Sequence, residues 1–335
     1  MIRNAEGPLP STLAVGTKGE PNMSTPANAA LPLEVAGARK KFGDIEALAG
    51  ASFDVRPGEL LGLLGPNGAG KTTVIKAIAG RVHLDEGTIR VFGRTLTSRD
   101  SRPDVGLVPQ ELAVYPLLTA RENLEVFGAL YGVSKSELPR RVSWALEWSD
   151  LKDRSGEPVK RFSGGMKRRL NIACSLLHDP KLVLLDEPTV GVDPQSRERI
   201  YEMLSALRQA GVSIVLTTHH LEEAEQRCDR IVIIDHGRIV AAGTLAELLR
   251  NALGDSRSVD VRLQAPWPAA SAQPAGWRVS DDGRQVTVEV ASLGRDLGSV
   301  LGAMNAAGVE VADVTLRGST LHDAFIALTG RELRE

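Results

Sequence analysis

The stretch LLGLLGPNGAGKTTVIKAIAG, residues 60–80, decides the architecture. LLGLL is an uncharged apolar run of strand length, and VIKAIAG is helix-compatible. Between them GPNGAGKT, residues 65–72, fits the pattern G-x-x-x-x-G-K-[ST] in the context that gives it meaning, a buried strand, a tight turn and a helix. Gly65, Gly68 and Gly70 let the backbone turn sharply and approach a ligand that side chains would block. The freed N–H groups and the helix N-terminus favour a polyanion. Lys71 adds a point charge for terminal phosphates, and the Thr72 hydroxyl is suited to a Mg²⁺ shell. Polyphosphate contact is therefore expected along Gly65, Pro66, Asn67, Gly68, Ala69, Gly70, Lys71, Thr72 and Thr73.

Further along, VGLV (105–108), LVLLD (182–186), SIVLT (213–217) and IVIID (231–235) are β-branched and continuous rather than alternating, as expected of strands buried on both faces. Helical stretches separate them, at Lys71–Ala79, Ala120–Tyr131, Met166–Leu177 and Arg197–Gln209. LEVAGARKKF and ASFDV, ahead of the phosphate loop, read as strands. Strands alternating with helices indicate an α/β fold with a largely parallel sheet. LVLLDEP ends its strand on two carboxylates. Asp186 falls at the sheet's C-terminal edge, where such sheets bind ligands, and is a candidate Mg²⁺ ligand. Glu187 is placed to polarise a water. Taken alone, Asp-Glu-Pro is also good turn chemistry.

The 335 residues suggest about two domains. A formal charge of -2 and 42% hydrophobic residues exclude a basic nucleic-acid coat and a disordered chain. Two cysteines, Cys174 and Cys228, form no disulfide scaffold and read as small buried apolar groups suited to a reducing compartment. No apolar stretch reaches the length of a bilayer span, and the N-terminus has no secretory pattern. Residues 1–31, rich in Gly, Pro, Ala, Asn, Ser and Thr, read as a disordered leader, with Met23 as a second candidate start. Residues 32–250 form the main domain, with a helical subdomain about 112–178. Residues 251–335 read as a small α+β domain: strands in SVDVRLQ, WRVS, QVTVEV and VEVADVTL, a hairpin turn at Asp281-Asp282-Gly283, and helices at Arg295–Ala307 and Thr320–Thr329.

RFSGGMKRRL, residues 161–170, supplies a second anion site: Ser163 and the N–H groups of Gly164 and Gly165 begin a helix. With this motif, between the phosphate loop and the carboxylate pair, the chain resembles the ATP-binding-cassette (ABC) ATPases over about residues 32–250. FSGGM resembles their LSGGQ-like signature, with Phe162 and Met166 in place of leucine and glutamine. Phe42 resembles the aromatic that stacks on adenine, although core filling is its other reading. Gln110 resembles the glutamine that reaches Mg²⁺ and the attacking water. Asp193, in GVDP, resembles the residue at the dimer contact, and His219 the histidine that touches the γ-phosphate. His219 is preferred to His220 because it directly follows the strand and Thr217-Thr218.

The resemblance implies a mixed, largely parallel sheet with antiparallel β and helical subdomains, and a small C-terminal α+β domain. It implies ATP and Mg²⁺ as cofactors, with Thr72, Gln110 and Asp186 around the metal and Lys71, Gln110, Glu187 and His219 in catalysis. It also implies two subunits, a homodimer, closing head-to-tail on two ATP molecules, and a separate integral-membrane permease holding them at the inner face of the cell membrane. Arg121 and Glu122 are candidate permease contacts, or an ordinary solvated helix start. VTLRGSTLHDAFIALTGRE resembles the ending of daunorubicin/doxorubicin-resistance-type exporter ATPases, which implies export of a drug-like, lipid or polysaccharide substrate. The alternatives are an importer ATPase with a regulatory C-terminal domain, or a soluble non-transport ABC ATPase. Lys167-Arg168-Arg169 reads as a solvated helix face, and no nucleic-acid partner is expected.

Overall fold

The computed structural model describes residues 30–97, 103–254, 257–268, 274, 276–290 and 293–330. The expected leader lies outside them apart from its last two residues. Two compact units are formed, one running to Ala242 and the other beginning at Gly243.

In the first unit, β1 (Leu33–Phe42), β2 (Ile45–Val55), β4 (Glu86–Val91) and β5 (Arg94–Thr95) form an antiparallel sheet in the order β2-β1-β4-β5. The second sheet has the order β10-β9-β3-β8-β7-β6, from β3 (Leu60–Leu64), β6 (Val105–Val108), β7 (Leu182–Asp186), β8 (Ser213–Thr218), β9 (Arg230–Asp235) and β10 (Arg238–Gly243). Its five strands from β9 to β6 pair in parallel. The continuous apolar runs have a simple cause. Along β7, Leu182 and Leu184 enter one core, shared with α1 (Lys71–Ile78) and the antiparallel sheet, while Val183 and Leu185 enter another beneath α5 (Pro194–Gln209). Both faces are covered, so alternation has no room. Each such buried Leu or Val contributes about 1.5–3 kcal/mol relative to exposure.

A third core gathers Val114, Leu124, Val142, Leu146, Val159, Leu170 and Leu177 around α2 (Ala120–Leu130), α3 (Leu138–Trp148) and α4 (Gly164–Cys174). α4 begins two residues before the expected helix because the Ser163 side chain accepts from the Met166 N–H and caps it. Likewise α5 starts at Pro194, with Asp193 as its cap. After β8, α6 (Leu221–Arg227) leads into β9.

Strand register places the chemistry. Leu64 pairs with Thr218, Asp186 with Thr217, and Val108 with Leu185. The segments that follow β3, β6, β7 and β8 therefore leave from one edge of the sheet, its C-terminal edge.

The second unit holds an antiparallel sheet, β12-β13-β11-β14, from β11 (Arg257–Leu263), β12 (Trp277–Val279), β13 (Gln285–Val290) and β14 (Val311–Arg317). Val300 and Met304 of α8 (Leu293–Ala306) close its core over Val259, Val261, Val286 and Val288. β12 and β13 turn at Asp281-Asp282-Gly283, where Gly283 N–H donates to Ser280. The boundary falls at Gly243 and not at the expected 250/251. The physical reason is α7 (Leu245–Leu253), which packs on α9 (Leu321–Thr329) and so joins the second unit.

Candidate active site

The loop between β3 and α1 tolerates no side chain at its two ends. A Cβ at Gly65 would lie 2.2 Å from the Ile234 carbonyl oxygen, and one at Gly70 would lie 2.5 Å from that of Ala47. Gly70 has φ +107° and offers α1 no capping side chain, so the helix's first N–H groups are left for an anion. Lys71 Nζ donates to the carbonyls of Gly65 (2.7 Å) and Pro66 (3.1 Å) and lies 3.5 Å from Glu187 Oε1. Burial pulls the Lys71 ammonium below its ordinary pKa, and Glu187 opposes the pull.

Asp186 Oδ1 accepts from Thr72 Oγ1 at 3.2 Å and Thr217 Oγ1 at 2.8 Å. The same Thr217 hydroxyl accepts the Glu187 N–H at 2.9 Å. Glu187 has φ 46°, a left-handed conformation that costs a side-chain-bearing residue about 1–2 kcal/mol. That turn leaves Oε2 to accept from Gln110 Nε2 at 3.0 Å and Oε1 at 3.1 Å from His219 Nδ1. The His219 ring thus faces the carboxylate through Nδ1. Glu187 is 7% exposed, and its three neighbours Lys71, Gln110 and His219 come from three different segments. Thr72, Asp186 and the Gln110 amide supply hard oxygen donors, and one carboxylate beside substrate phosphates is the usual protein share of a Mg²⁺ shell. The residues fit that ion.

His220 stands at the N-cap position of α6 without a capping side-chain bond, its ring tilted against that of His219 with centres 4.2 Å apart. Phe42 is 49% exposed with Lys40 Nζ 5.4 Å from its ring centre, so core filling is not its role. Ser163 and Gly164 are exposed at the start of α4, and no hydrogen bond joins them to the phosphate loop among the described residues. Gly165 packs against α5: a Cβ there would meet Ser196 Oγ at 2.0 Å. The site thus comes in two parts, the phosphate loop with the carboxylates, and an exposed anion-ready helix start.

The expected solvated face is corrected at two positions. Arg168 is buried and donates to the backbone carbonyls of Pro109 (3.1 Å) and Gln110 (2.8 Å), tying α4 to the segment that carries Gln110. Arg169 pairs with Asp150 at 3.2 Å. Three consecutive helical positions span about 200°, so a helix packed against neighbours on more than one side turns at least one of them inward, and that periodicity was the available signal. Thr217 was also missed as a site residue. Glu122 closes a capping box with Thr119, so its side chain is engaged at the helix start. Cys174 is fully buried and Cys228 partly, and burial pushes both thiols far above their ordinary pKa.

A strand–loop–helix phosphate cradle with an acidic strand end and a buried glutamate define a phosphate-loop nucleotide hydrolase. The ABC transporter family model matches residues 48–190, and the chain belongs to that family as an ATP-binding subunit with ATPase chemistry. It is 37% identical over 311 residues to the linearmycin resistance ATP-binding protein LnrL of Bacillus subtilis (strain 168), covering 90% of this chain and 100% of that one. It is 38% identical over 306 residues to the daunorubicin resistance ATP-binding protein DrrA3 of Streptomyces coeruleorubidus, covering 90% and 97%. Among solved structures it is similar to the dimeric post-hydrolysis state of the ATP-binding cassette MJ0796 bound to ADP and Pi. That match has 27% identity and a TM-score of 0.57 over 63% of this chain and 98% of that chain.

Proposed function

We propose that this chain is the ATP-hydrolysing motor of an exporter, acting as a homodimer on a separate integral-membrane permease at the inner face of the cell membrane. The observation that carries the chemistry is Glu187, buried and held between Gln110 and His219, one residue beyond Asp186. Glu187 takes the proton of a water that attacks the γ-phosphorus, and the bond to ADP breaks in line. Lys71 and the loop N–H groups neutralise the phosphates, and His219 stabilises charge on the γ-phosphoryl oxygens. Mg²⁺, with Thr72, Asp186 and Gln110 as its protein donors, supplies Lewis-acid neutralisation of the phosphate oxygens when bound. Phe42 offers its exposed ring to the adenine. Ser163, Gly164 and Gly165 cover the ATP bound by the other subunit, the role suited to an exposed helix start, with Asp193 at the same contact.

Relatives that match along almost their whole length and are named for linearmycin and daunorubicin resistance support export of a drug-like molecule. Leu112, Tyr115, Leu117, Leu130 and Tyr131 are exposed beside the Gln110 segment and α2, an apolar surface suited to a permease, with Arg121 at its helix start. Among the described residues no helix is long and apolar enough to cross a membrane.

The test is Glu187→Gln in the full-length chain. ATP turnover is expected to fall at least about 100-fold, ATP binding to persist, and the dimer to be trapped closed. Turnover equal to wild type removes Glu187 as the base. For the direction of transport, a polytopic membrane protein encoded in the neighbouring reading frame supports export, and co-expression with it should then lower cellular accumulation of an amphipathic drug. A dependence on a periplasmic binding protein points instead to import.

A further inference from the structure

One buried carboxylate stands between the two segments that carry Glu187 and His219. Glu223, in the first turn of α6, is 6% exposed. Its Oε2 accepts two hydroxyls at once, Thr189 Oγ1 at 3.0 Å and Thr218 Oγ1 at 2.9 Å. Thr189 follows Glu187 by two residues, and Thr218 directly precedes His219. Both threonines are buried, and Thr218 Oγ1 also accepts the His220 N–H at 3.0 Å. The other carboxylate oxygen lies 3.6 Å from Arg197 Nε of α5. Tyr201 packs beside it, its phenol pushed above the ordinary value by burial and by Glu223.

A carboxylate taken out of water is costly unless its oxygens find donors. Here both threonine donors come from the chain segments that end in the reacting groups. Thr217 fixes the Glu187 backbone from the β8 side and His219 meets Glu187 directly, but among the described residues no other side-chain hydrogen bond runs from the segment after Glu187 to Thr218. We infer that Glu223 is a positioning residue, which through Thr189 and Thr218 holds the Glu187 and His219 segments at one fixed separation. The inference rests on the roles proposed above for Glu187 and His219. Small displacements of such groups are enough to matter, because a 1 Å misplacement costs on the order of 100-fold in rate.

A glutamine amide oxygen has two lone pairs, as one carboxylate oxygen does, so Glu223→Gln keeps the tie between both hydroxyls while removing the charge. Glu223→Ala cuts both links. Thr189→Val cuts one link alone, and Thr218→Val cuts the other together with the His220 N–H bond, each with little change of volume. In the full-length chain, ATP turnover and KM are measured for all four, for the double valine variant and for Glu187→Gln, with a thermal melt of each. Glu223→Ala is expected to lose about tenfold or more in kcat with KM within about twofold, and Glu223→Gln to stay within about threefold of wild type. Each valine variant is expected to approach the Glu223→Ala loss, about fivefold or more in kcat. The pair should lose little beyond the weaker single variant, since one cut already frees the two segments. Folded Glu223→Ala with wild-type turnover overturns the inference, and so does Glu223→Gln falling as far as Glu223→Ala. If Glu223→Ala does not fold, wild-type kcat in both valine variants overturns it. Inactive Glu187→Gln beside fully active valine variants sinks only Glu223. Turnover retained in Glu187→Gln sinks the reading of the base and this inference with it.

Discussion

Thr217 serves two neighbours with one hydroxyl, donating to Asp186 and accepting from the Glu187 backbone. Thr217→Val leaves a buried N–H without an acceptor, which costs about 1–3 kcal/mol, while Thr217→Ser restores both bonds. Denaturant melting should show that loss for valine and most of it recovered for serine, and equal stability of all three variants contradicts the assignment. Lys71 is a second single-residue case. Its ammonium stays buried only because two loop carbonyls and Glu187 surround it. Lys71→Ala is expected to weaken ATP binding by about tenfold or more in calorimetry; unchanged affinity would falsify the phosphate-loop reading. Choosing His219 over His220 was possible from chain position. The contact of Nδ1 with Glu187 needed coordinates, because the partner lies 32 residues away.

Elements carry their own tests. α2 begins with a complete capping box, Thr119 accepting the Glu122 N–H and the Glu122 carboxylate accepting the Thr119 N–H. Thr119→Ala should cost about 1 kcal/mol, read as a shift of the denaturation midpoint. His178, on the turn after α4, donates from Nε2 to the Val105 carbonyl at 3.1 Å and so ties that turn to β6. Burial lowers its pKa below the ordinary 6.5, so the folded chain prefers the neutral ring. The sign follows: this stability is present above pH 6.5 and is lost as pH falls from there toward the folded-state value. His178→Gln should therefore flatten the loss of stability on acidification below pH 6.5, and an unchanged pH profile refutes the linkage. Most elements were legible because apolar runs and caps are local signals. The inward turn of Arg168 was not, since the two carbonyls that receive it belong to a segment nearly 60 residues earlier.

At the level of the whole chain, the catalytic half and the Ser163 helix start present separate surfaces, and a second copy is what joins them in the proposed cycle. Ser163→Arg should leave ATP binding intact yet keep Glu187→Gln monomeric in light scattering with MgATP. A stable dimer in that double variant contradicts the head-to-tail arrangement. The phosphate loop, the carboxylate pair, the parallel sheet and the α+β character of the C-terminal unit could all be read in the sequence. They are written in short contiguous patterns, set by backbone sterics, period and capping, that need no distant partner. Three things waited for the folded chain: the boundary at Gly243, the burial of Arg168, and the hydrogen bonds by which Gln110 and His219, already expected beside Glu187 from the family resemblance, reach its two carboxylate oxygens. Strand order and register create those meetings, and they depend on how cores pack across long separations, a property no local stretch of residues encodes.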